Sequence, residues 1–193
     1  MDIHKPPKLI LVLGGARSGK SSFAEKIAAD ISDDVTYVAT AAVLDSEMAR
    51  RVEMHKNNRP EHWTTKEETV ELVSLVNNIK STSTVILIDC LTIWLSNLLL
   101  NSIPAAGIAW PEKESYILDK VKKLAIVTKD TNGTVIIVSN EVSLGLVPDN
   151  RIGRSFRDVA GLANQIIAKH ADKVYLLVAG IPLELKSLSM NNY

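Results

Sequence analysis

Apolar runs bounded by polar or glycine-rich turns recur along the chain and alternate with segments of helical periodicity. Continuous apolar runs are typical of strands that are buried on both faces of a parallel sheet. Five such runs lie at residues 9–13, 35–39, 84–89, 134–139 and 173–179. Residues 181–186 predict a further strand that returns along the edge. Strands alternating with helices predict a single α/β domain with a mostly parallel sheet flanked by helices.

Two predicted helices carry a signal beyond their periodicity. Thr65, followed three residues later by Glu68, predicts a capping box at the start of one helix. That helix has one apolar face, made of Leu72, Leu75, Val76 and Ile79. The other helix, at residues 91–101, is apolar over a wide surface. It is therefore either central in the fold or covered by another subunit.

The first strand leads directly into a glycine-rich turn and the first helix. The turn reads Gly14-Gly15-Ala16-Arg17-Ser18-Gly19-Lys20-Ser21, which is the Gly-x-x-x-x-Gly-Lys-Ser pattern of phosphate loops. Its glycines let the backbone curl, so that N–H groups and the start of the helix point at a phosphate. Lys20 then reaches the β- and γ-phosphates, and the Ser21 hydroxyl ligates Mg²⁺. This pattern predicts a P-loop nucleotide site in a RecA-like fold.

Polar residues follow two other strands. Asp89 ends the apolar run 84–89, where P-loop proteins place a carboxylate that helps to hold Mg²⁺. Thr40 follows the run 35–39. It either faces the nucleotide, because ligands bind beyond the carboxyl ends of parallel strands, or serves as a cap or turn residue.

Composition narrows the class of protein. Lys plus Arg and Asp plus Glu each number 22, so no net positive field favours nucleic acid. One cysteine, Cys90, allows no internal disulfide and suits a reducing compartment. Residues 1–8 are too polar for a signal peptide, and no apolar run is long enough to span a membrane. We therefore expect a cytoplasmic protein with one domain over 1–193, in which 1–8 are a leader and 187–193 a tail.

Two charged segments have more than one interpretation. Arg51 and His55 are four residues apart on the predicted charged helix 45–56 and share a face, yet a lone histidine there is more often a surface residue. Three arginines on a later stripe either grip an anionic substrate or neighbouring subunit, or form a solvated basic face. They are Arg151, Arg154 and Arg157.

The order of the motifs resembles the bifunctional adenosylcobinamide kinase / adenosylcobinamide-phosphate guanylyltransferase family of cobalamin biosynthesis. The resemblance runs from about residue 9 to residue 186. Besides the phosphate loop, the matching segments are 37–41, 45–60, 63–65, 89–92, 94–99, 139–142, 147–151, 156–158 and 178–180.

The resemblance implies two reactions. The first phosphorylates the aminopropanol hydroxyl of adenosylcobinamide with ATP or GTP, and the second transfers GMP from GTP to give adenosylcobinamide-GDP. In the family, the histidine before a basic-x-x-Arg-Pro stretch becomes guanylylated, and here that residue is His55. A neutral imidazole is able to attack the α-phosphorus and expel pyrophosphate. Mg²⁺, Lys20 and nearby cations would offset the developing charge.

The resemblance also implies nucleotide contacts and an oligomer. Beyond the phosphate loop, the contacts are Thr40, Ala41, Ala42, Lys56, Asn57, Asn58, Arg59, Glu67 and Asp89. Asn57 and Asn58 vary among relatives, so their side chains contribute little. Some members have Glu in place of Asp89. The shorter side chain of Asp89 would change how directly this carboxylate holds the metal or nucleotide. A homotrimer is implied, which the apolar helix 91–101 fits.

Three alternatives remain at this stage. A plain P-loop kinase for a small metabolite predicts no covalent nucleotide and no role for His55. A RecA-like switch or assembly ATPase predicts slow hydrolysis and a surface for partner proteins. A related chain with only half of the chemistry would be a guanylyltransferase that has lost kinase activity, or the reverse. The kinase base also stays open, among Asp89, Glu141 and Asp158.

Overall fold

The computed structural model describes residues 6–41, 60–102 and 108–189, which form a seven-stranded sheet with helices on both faces. The strands are β1 (Leu9–Gly14), β2 (Val35–Ala39), β3 (Thr64–Glu67), β4 (Val85–Asp89), β5 (Thr134–Asn140), β6 (Lys173–Val178) and β7 (Ile181–Glu184). The helices are α1 (Lys20–Ile31), α2 (Leu72–Ile79), α3 (Leu91–Asn97), α4 (Trp110–Lys129), α5 (Arg151–His170) and α6 (Leu185–Leu188). A π-helical segment, Leu98–Ser102, continues α3.

The strand order is β3-β2-β4-β5-β1-β6-β7, and every neighbouring pair is parallel except β6 and β7. The mostly parallel sheet and the returning edge strand are therefore confirmed. The prediction of five main strands missed β3, which is short and polar. β1 and β4 run in the same direction, so the phosphate loop and Asp89 lie at the same edge of the sheet. They are one strand apart because β5 lies between β1 and β4.

Alternating side chains of the central strands bury both faces of the sheet. Leu9 and Leu11 pack in the cluster beneath α2, α3, α4 and α5, whereas Ile10 and Val12 pack with Ala24 of α1. This two-sided burial explains the unbroken apolar runs in the sequence, since neither face of these strands is open to water.

The capping box predicted from Thr65 and Glu68 is wrong. Thr65 belongs to β3, where it pairs with Tyr37 of β2, and α2 begins at Leu72. Sheet pairing outweighs the local capping signal here because β3 adds a full ladder of backbone hydrogen bonds. Glu68 still orders the turn, since its Oε1 accepts from the N–H groups of Val70 and Glu71, both at 2.8 Å.

The apolar helix predicted at 91–101 is central rather than exposed. Leu91, Trp94, Leu95 and Leu98 are fully buried within the chain itself, although Leu100 is 69% exposed. The helix therefore gives no support to the predicted trimer. Among the described residues, no helix combines the length and apolarity that a membrane crossing requires. The charged helix predicted at 45–56 lies outside the described residues.

Candidate active site

The phosphate loop lies between the last residue of β1 and the first of α1. Gly19, the residue before α1, has φ 91°, a left-handed conformation that favours glycine. A Cβ at Gly14 would lie 2.3 Å from Ser18 Oγ, which would have to move, and 3.0 Å from the carbonyl oxygen of Leu177. The loop thus curls over the start of a 12-residue helix, an arrangement that directs N–H groups and the helix dipole at an anion.

Lys20 and Ser21 begin α1 at the open side of this loop. Lys20 Nζ donates to the carbonyl of Gly15 at 3.1 Å, so the ammonium lies over the loop. Ser21 is half-buried in the first helical turn. These positions are those that the motif requires for contacts with phosphate and metal.

Two neighbouring strands hold the loop. The N–H of Glu141, just after β5, donates to the carbonyl of Gly14 at 3.0 Å, and the N–H of Gly180 donates to that of Ser18 at 3.0 Å. Ser18 Oγ itself is buried and has no hydrogen-bond partner in the described part of the chain. The backbone of the loop is therefore anchored on both sides, while one of its hydroxyls is uncommitted.

Asp89 ends β4 at the same edge. Its Oδ2 accepts from the Tyr37 hydroxyl at 3.0 Å, so β2 helps to orient the carboxylate. Burial, and then the charge of Asp89, raises the pKa of the adjacent Cys90 thiol to about 12, and the charge of Lys20 opposes this rise. Asp89 and Lys20 therefore both lie close enough to the Cys90 thiol for their charges to affect its pKa.

The donor set fits magnesium. A hydroxyl from Ser21 and a carboxylate from Asp89 are hard oxygen ligands, and Mg²⁺ takes its remaining ligands from water and nucleotide phosphates. Ser21 lies in the first turn of α1, which begins at the carboxyl edge of the sheet, and Asp89 ends β4 at the same edge.

The hydroxyl of Thr40 bonds to the residue that follows β4. Its side chain is fully buried, and Oγ1 both donates to the Cys90 carbonyl and accepts from the Cys90 N–H, each at 2.8 Å. The hydroxyl proton is therefore committed to Cys90, and a nucleotide contact by Thr40 stays a prediction. Ala41, the next residue, is half-buried.

The other predicted nucleotide residues divide into two groups. Glu67 is exposed at the end of β3, on the edge strand of the sheet. The remaining residues lie outside the described parts of the chain, so their placement stays a prediction. They are Ala42, His55, Lys56, Asn57, Asn58 and Arg59.

The candidates for the kinase base differ in their surroundings. Glu141 accepts hydrogen bonds from the N–H and the hydroxyl of Ser143, so its carboxylate orders the loop after β5. Asp158 is exposed on α5. Asp89 has the most direct position, at the edge beside the phosphate loop, although a metal-binding role would compete with proton transfer.

The arginine stripe is only partly a solvated surface. Arg154 Nη1 donates to the carbonyls of Pro148 at 3.1 Å and Asp149 at 2.6 Å, and thereby closes the loop before α5. Arg151 lines a cleft of about 420 Å³ between the starts of α4 and α5. One arginine is thus structural, and another faces a concave surface at the carboxyl edge.

A buried polar network beneath this edge was missed from the sequence. Ser139 Oγ donates to Asn164 Oδ1 at 2.7 Å, and the N–H of Asn140 donates to Thr92 Oγ1 at 2.8 Å. Asn97 Nδ2 donates to the Thr40 carbonyl at 2.8 Å. Isolated polar residues within apolar segments, such as Asn97 in the run 91–101, are the signal that would have found it.

A phosphate loop at the carboxyl edge of a mostly parallel sheet, with a carboxylate-ended strand one strand away, defines a P-loop nucleotide-binding protein of RecA-like fold. A solved structure of an ATPase domain has the same fold, with a TM-score of 0.51 at 16% identity over 90% of this chain and 70% of that one. The chain belongs to the cobinamide kinase / cobinamide phosphate guanyltransferase family, whose model matches residues 10–185.

Curated relatives match over nearly their whole length. The bifunctional adenosylcobalamin biosynthesis protein CobU of Escherichia coli K12 is 40% identical over 184 residues, covering 92% of this chain and 99% of the relative. The CobU protein of Salmonella typhimurium LT2 is 41% identical over the same length. The CobP protein of Pseudomonas aeruginosa PAO1 is 42% identical over 176 residues, covering 91% and 96%. These findings confirm the resemblance and make the chain an enzyme of a bifunctional kinase and nucleotidyltransferase family.

Proposed function

We propose that this chain phosphorylates the aminopropanol hydroxyl of adenosylcobinamide and then transfers GMP from GTP to the new phosphate through a covalent intermediate on His55. The observation that carries the nucleotide chemistry is the anchored phosphate loop, with Lys20 and Ser21 beside the end of β4. Membership of the family carries the substrate class. The role of His55 rests on its place before the basic-x-x-Arg-Pro stretch.

In the kinase step, the γ-phosphoryl group passes to the hydroxyl oxygen, the nucleoside diphosphate leaves, and the hydroxyl proton goes to a base. The loop backbone and Lys20 would hold the phosphates and offset charge at the transferred group. Ser21 and Asp89 would hold Mg²⁺, which supplies charge neutralisation on the phosphate oxygens when bound. Asp89, Glu141 and Asp158 remain the candidates for the base.

In the transfer step, the neutral imidazole of His55 forms a P–N bond to the α-phosphorus of GTP, and pyrophosphate leaves. A phosphate oxygen of the acceptor then attacks the same phosphorus, the P–N bond breaks, and His55 is regenerated. Cations adjacent in sequence, Arg51, Lys56 and Arg59, would favour the negative charge that develops on the phosphates.

The test is to incubate the purified protein with Mg²⁺ and α-³²P-GTP, then denature it and treat it with acid or alkali. We expect acid-labile, alkali-stable label on the wild type and none on His55→Ala, because phosphoramidates hydrolyse in acid. His62→Ala is a matched control, since His62 is an exposed histidine outside the proposed machinery, and it should be labelled like the wild type.

A kinase assay on the same variants separates the two reactions. His55→Ala should retain phosphorylation of adenosylcobinamide, because only GMP transfer needs the nucleophile. Equal loss of both activities would count against the assignment of His55. Absence of label on all three proteins, with sound GTP binding, would favour a plain kinase or a nucleotide switch.

The sequence and the resemblance also lead us to propose a single domain over residues 1–193, a homotrimer and a cytoplasmic location. Light scattering on the purified protein tests the trimer directly, because one chain has a mass of 21.1 kDa.

A further inference from the structure

The side chain of Thr40, the residue after β2, bonds to the backbone of Cys90, the residue after β4. The backbone pairing of these strands ends at Ala39 and Asp89. Beyond that pair, Thr40 Oγ1 donates to the carbonyl of Cys90 and accepts from its N–H, at 2.8 Å each. Cys90 is 4% exposed, so water has little access to these groups.

Both backbone polar groups of Thr40 are also hydrogen-bonded. Its N–H donates to the carbonyl of Asp89 at 3.1 Å. Its carbonyl accepts from Asn97 Nδ2 at 2.8 Å, and the Asn97 side chain is itself buried within α3. Asp89 is therefore held through its own carbonyl, through the N–H and carbonyl of Cys90, and through the Tyr37 hydroxyl on its carboxylate.

We infer that Thr40 is a positioning residue that acts through the Cys90 peptide to aim the Asp89 carboxylate at the metal-bound nucleotide. This inference rests on the metal role of Asp89 in the proposed function. A hydroxyl is required because a single atom must both donate and accept. An apolar side chain of the same size would remove the acceptor of the buried Cys90 N–H and would leave the Cys90 carbonyl with the 3.2 Å bond from the Trp94 N–H. Asn97 of α3 donates to the Thr40 carbonyl and therefore supports the same positioning role.

The variants are Thr40→Val, which keeps the shape and removes the hydroxyl, and Thr40→Ser, which restores it. Thr36→Val is the matched control. Thr36 lies on the same strand and is buried, and its Oγ1 bonds to Ser83 Oγ at 2.8 Å at the opposite end of the strand. Both valine variants lose one buried hydroxyl, but only Thr40→Val loses contact with the residue beside Asp89.

The measurement is the Mg²⁺ concentration needed for tight binding of a fluorescent GTP analogue, with affinity in EDTA and melting temperature recorded alongside. We expect Thr40→Val to raise the half-saturating Mg²⁺ concentration about tenfold, the lower end of what loss of an outer-shell partner costs a metal site. Its affinity in EDTA should fall far less; an equal fall in EDTA would indicate a direct nucleotide contact by Thr40 and would overturn the positioning role. Thr40→Ser should behave like the wild type, and Thr36→Val should lose stability without a shift in Mg²⁺ dependence.

Further variants separate this inference from the proposed function. Asn97→Ala should shift the Mg²⁺ dependence in the same direction by a smaller factor, and it provides the test if Thr40→Val does not fold. Asp89→Ala should give the largest shift. An unchanged Mg²⁺ dependence in Asp89→Ala would overturn the metal role of Asp89 itself. A shift in Asp89→Ala, with none in Thr40→Val or Asn97→Ala, would overturn the positioning role alone.

Discussion

At the amino edge of the sheet, carboxylates bind the backbone of neighbouring strands, whereas at the carboxyl edge the polar groups surround an open loop. Asp34 Oδ2 accepts from the N–H and hydroxyl of Thr84 at 2.8 and 2.9 Å. Asp172 Oδ2 accepts from the N–H groups of Lys8 at 2.7 Å and Leu9 at 3.0 Å. These aspartates thus pair with polar groups at the starts of strands and contribute to the fold.

The carboxyl edge keeps its polar groups oriented instead. Asp89 receives the Tyr37 hydroxyl, Lys20 lies over the phosphate loop, and Ser18 Oγ has no partner in the described part of the chain. The same residue types thus stabilise the fold at one edge and prepare a ligand site at the other. Changes at the two edges should therefore separate stability from activity.

The largest effect should come from Lys20→Ala. Loss of this ammonium should lower kcat/KM of both reactions about 10²–10³-fold, the usual cost of removing a charge-stabilising donor. The melting temperature should stay unchanged, because Lys20 Nζ contacts only its own exposed loop among the described residues. Steady-state kinetics with calorimetry check this. Full retention of guanylyl transfer would show that the loop serves the kinase step alone.

Gly133→Ala should produce the opposite pattern. A Cβ at Gly133, the residue before β5, would lie 1.8 Å from the Thr84 carbonyl oxygen, so the backbone must shift. We expect a loss of about 2–3 kcal/mol in the free energy of unfolding, which is within the range for steric defects. Nucleotide affinity in the folded protein should be unchanged, since this turn lies at the amino edge.

Gly15→Ala is the stability control for that change, because a Cβ at Gly15 would meet no atom within 4 Å. Urea unfolding should place Gly15→Ala within about 0.5 kcal/mol of the wild type. A similar loss in both variants would mean that crowding at Gly133 is not the cause. A loss of nucleotide affinity in Gly133→Ala would contradict the separation of the two edges.

The smallest effect concerns the buried thiol of Cys90, next to Asp89. Burial, and then the Asp89 charge, raises the pKa of the Cys90 thiol from 9.0 to about 12. Above pH 9 the unfolded chain loses a proton that the folded protein retains, so the free energy of unfolding falls as pH rises towards 12. The wild type should lose roughly 1 kcal/mol more than Cys90→Ala between pH 8 and 10. Parallel pH dependences in urea unfolding would show that the thiol is accessible to solvent.

The phosphate loop was predictable because its geometry is local. Glycine spacing, the preceding apolar run and the following helical periodicity all lie within about 25 residues, and backbone conformation over that distance depends mainly on the residues themselves. The carboxylate at Asp89 was found for the same reason, as the end of an apolar strand. The order of further motifs identified the family, which the comparisons confirm.

The incorrect capping box and the choices that the sequence left open concern partners that are distant along the chain. Thr65 pairs with β2 and does not cap a helix. The choice between a central α3 and one covered by another subunit was decided by packing within the chain itself. Thr40 follows a strand whose end is suitable for a ligand contact, and its hydroxyl also bonds to Cys90, fifty positions away. None of these partners is adjacent in sequence, so no local pattern reports them.

The sequence by itself determined the phosphate loop, the alternation of strands and helices, and the family, because each depends on short-range spacing or on the order of motifs. The tertiary structure decided which strands are neighbours, which polar groups are consumed by the fold, and which remain directed at the open edge. The physical reason is that a hydrogen bond is satisfied by whichever partner the packing of the sheet brings within about 3 Å, however distant that partner is along the chain.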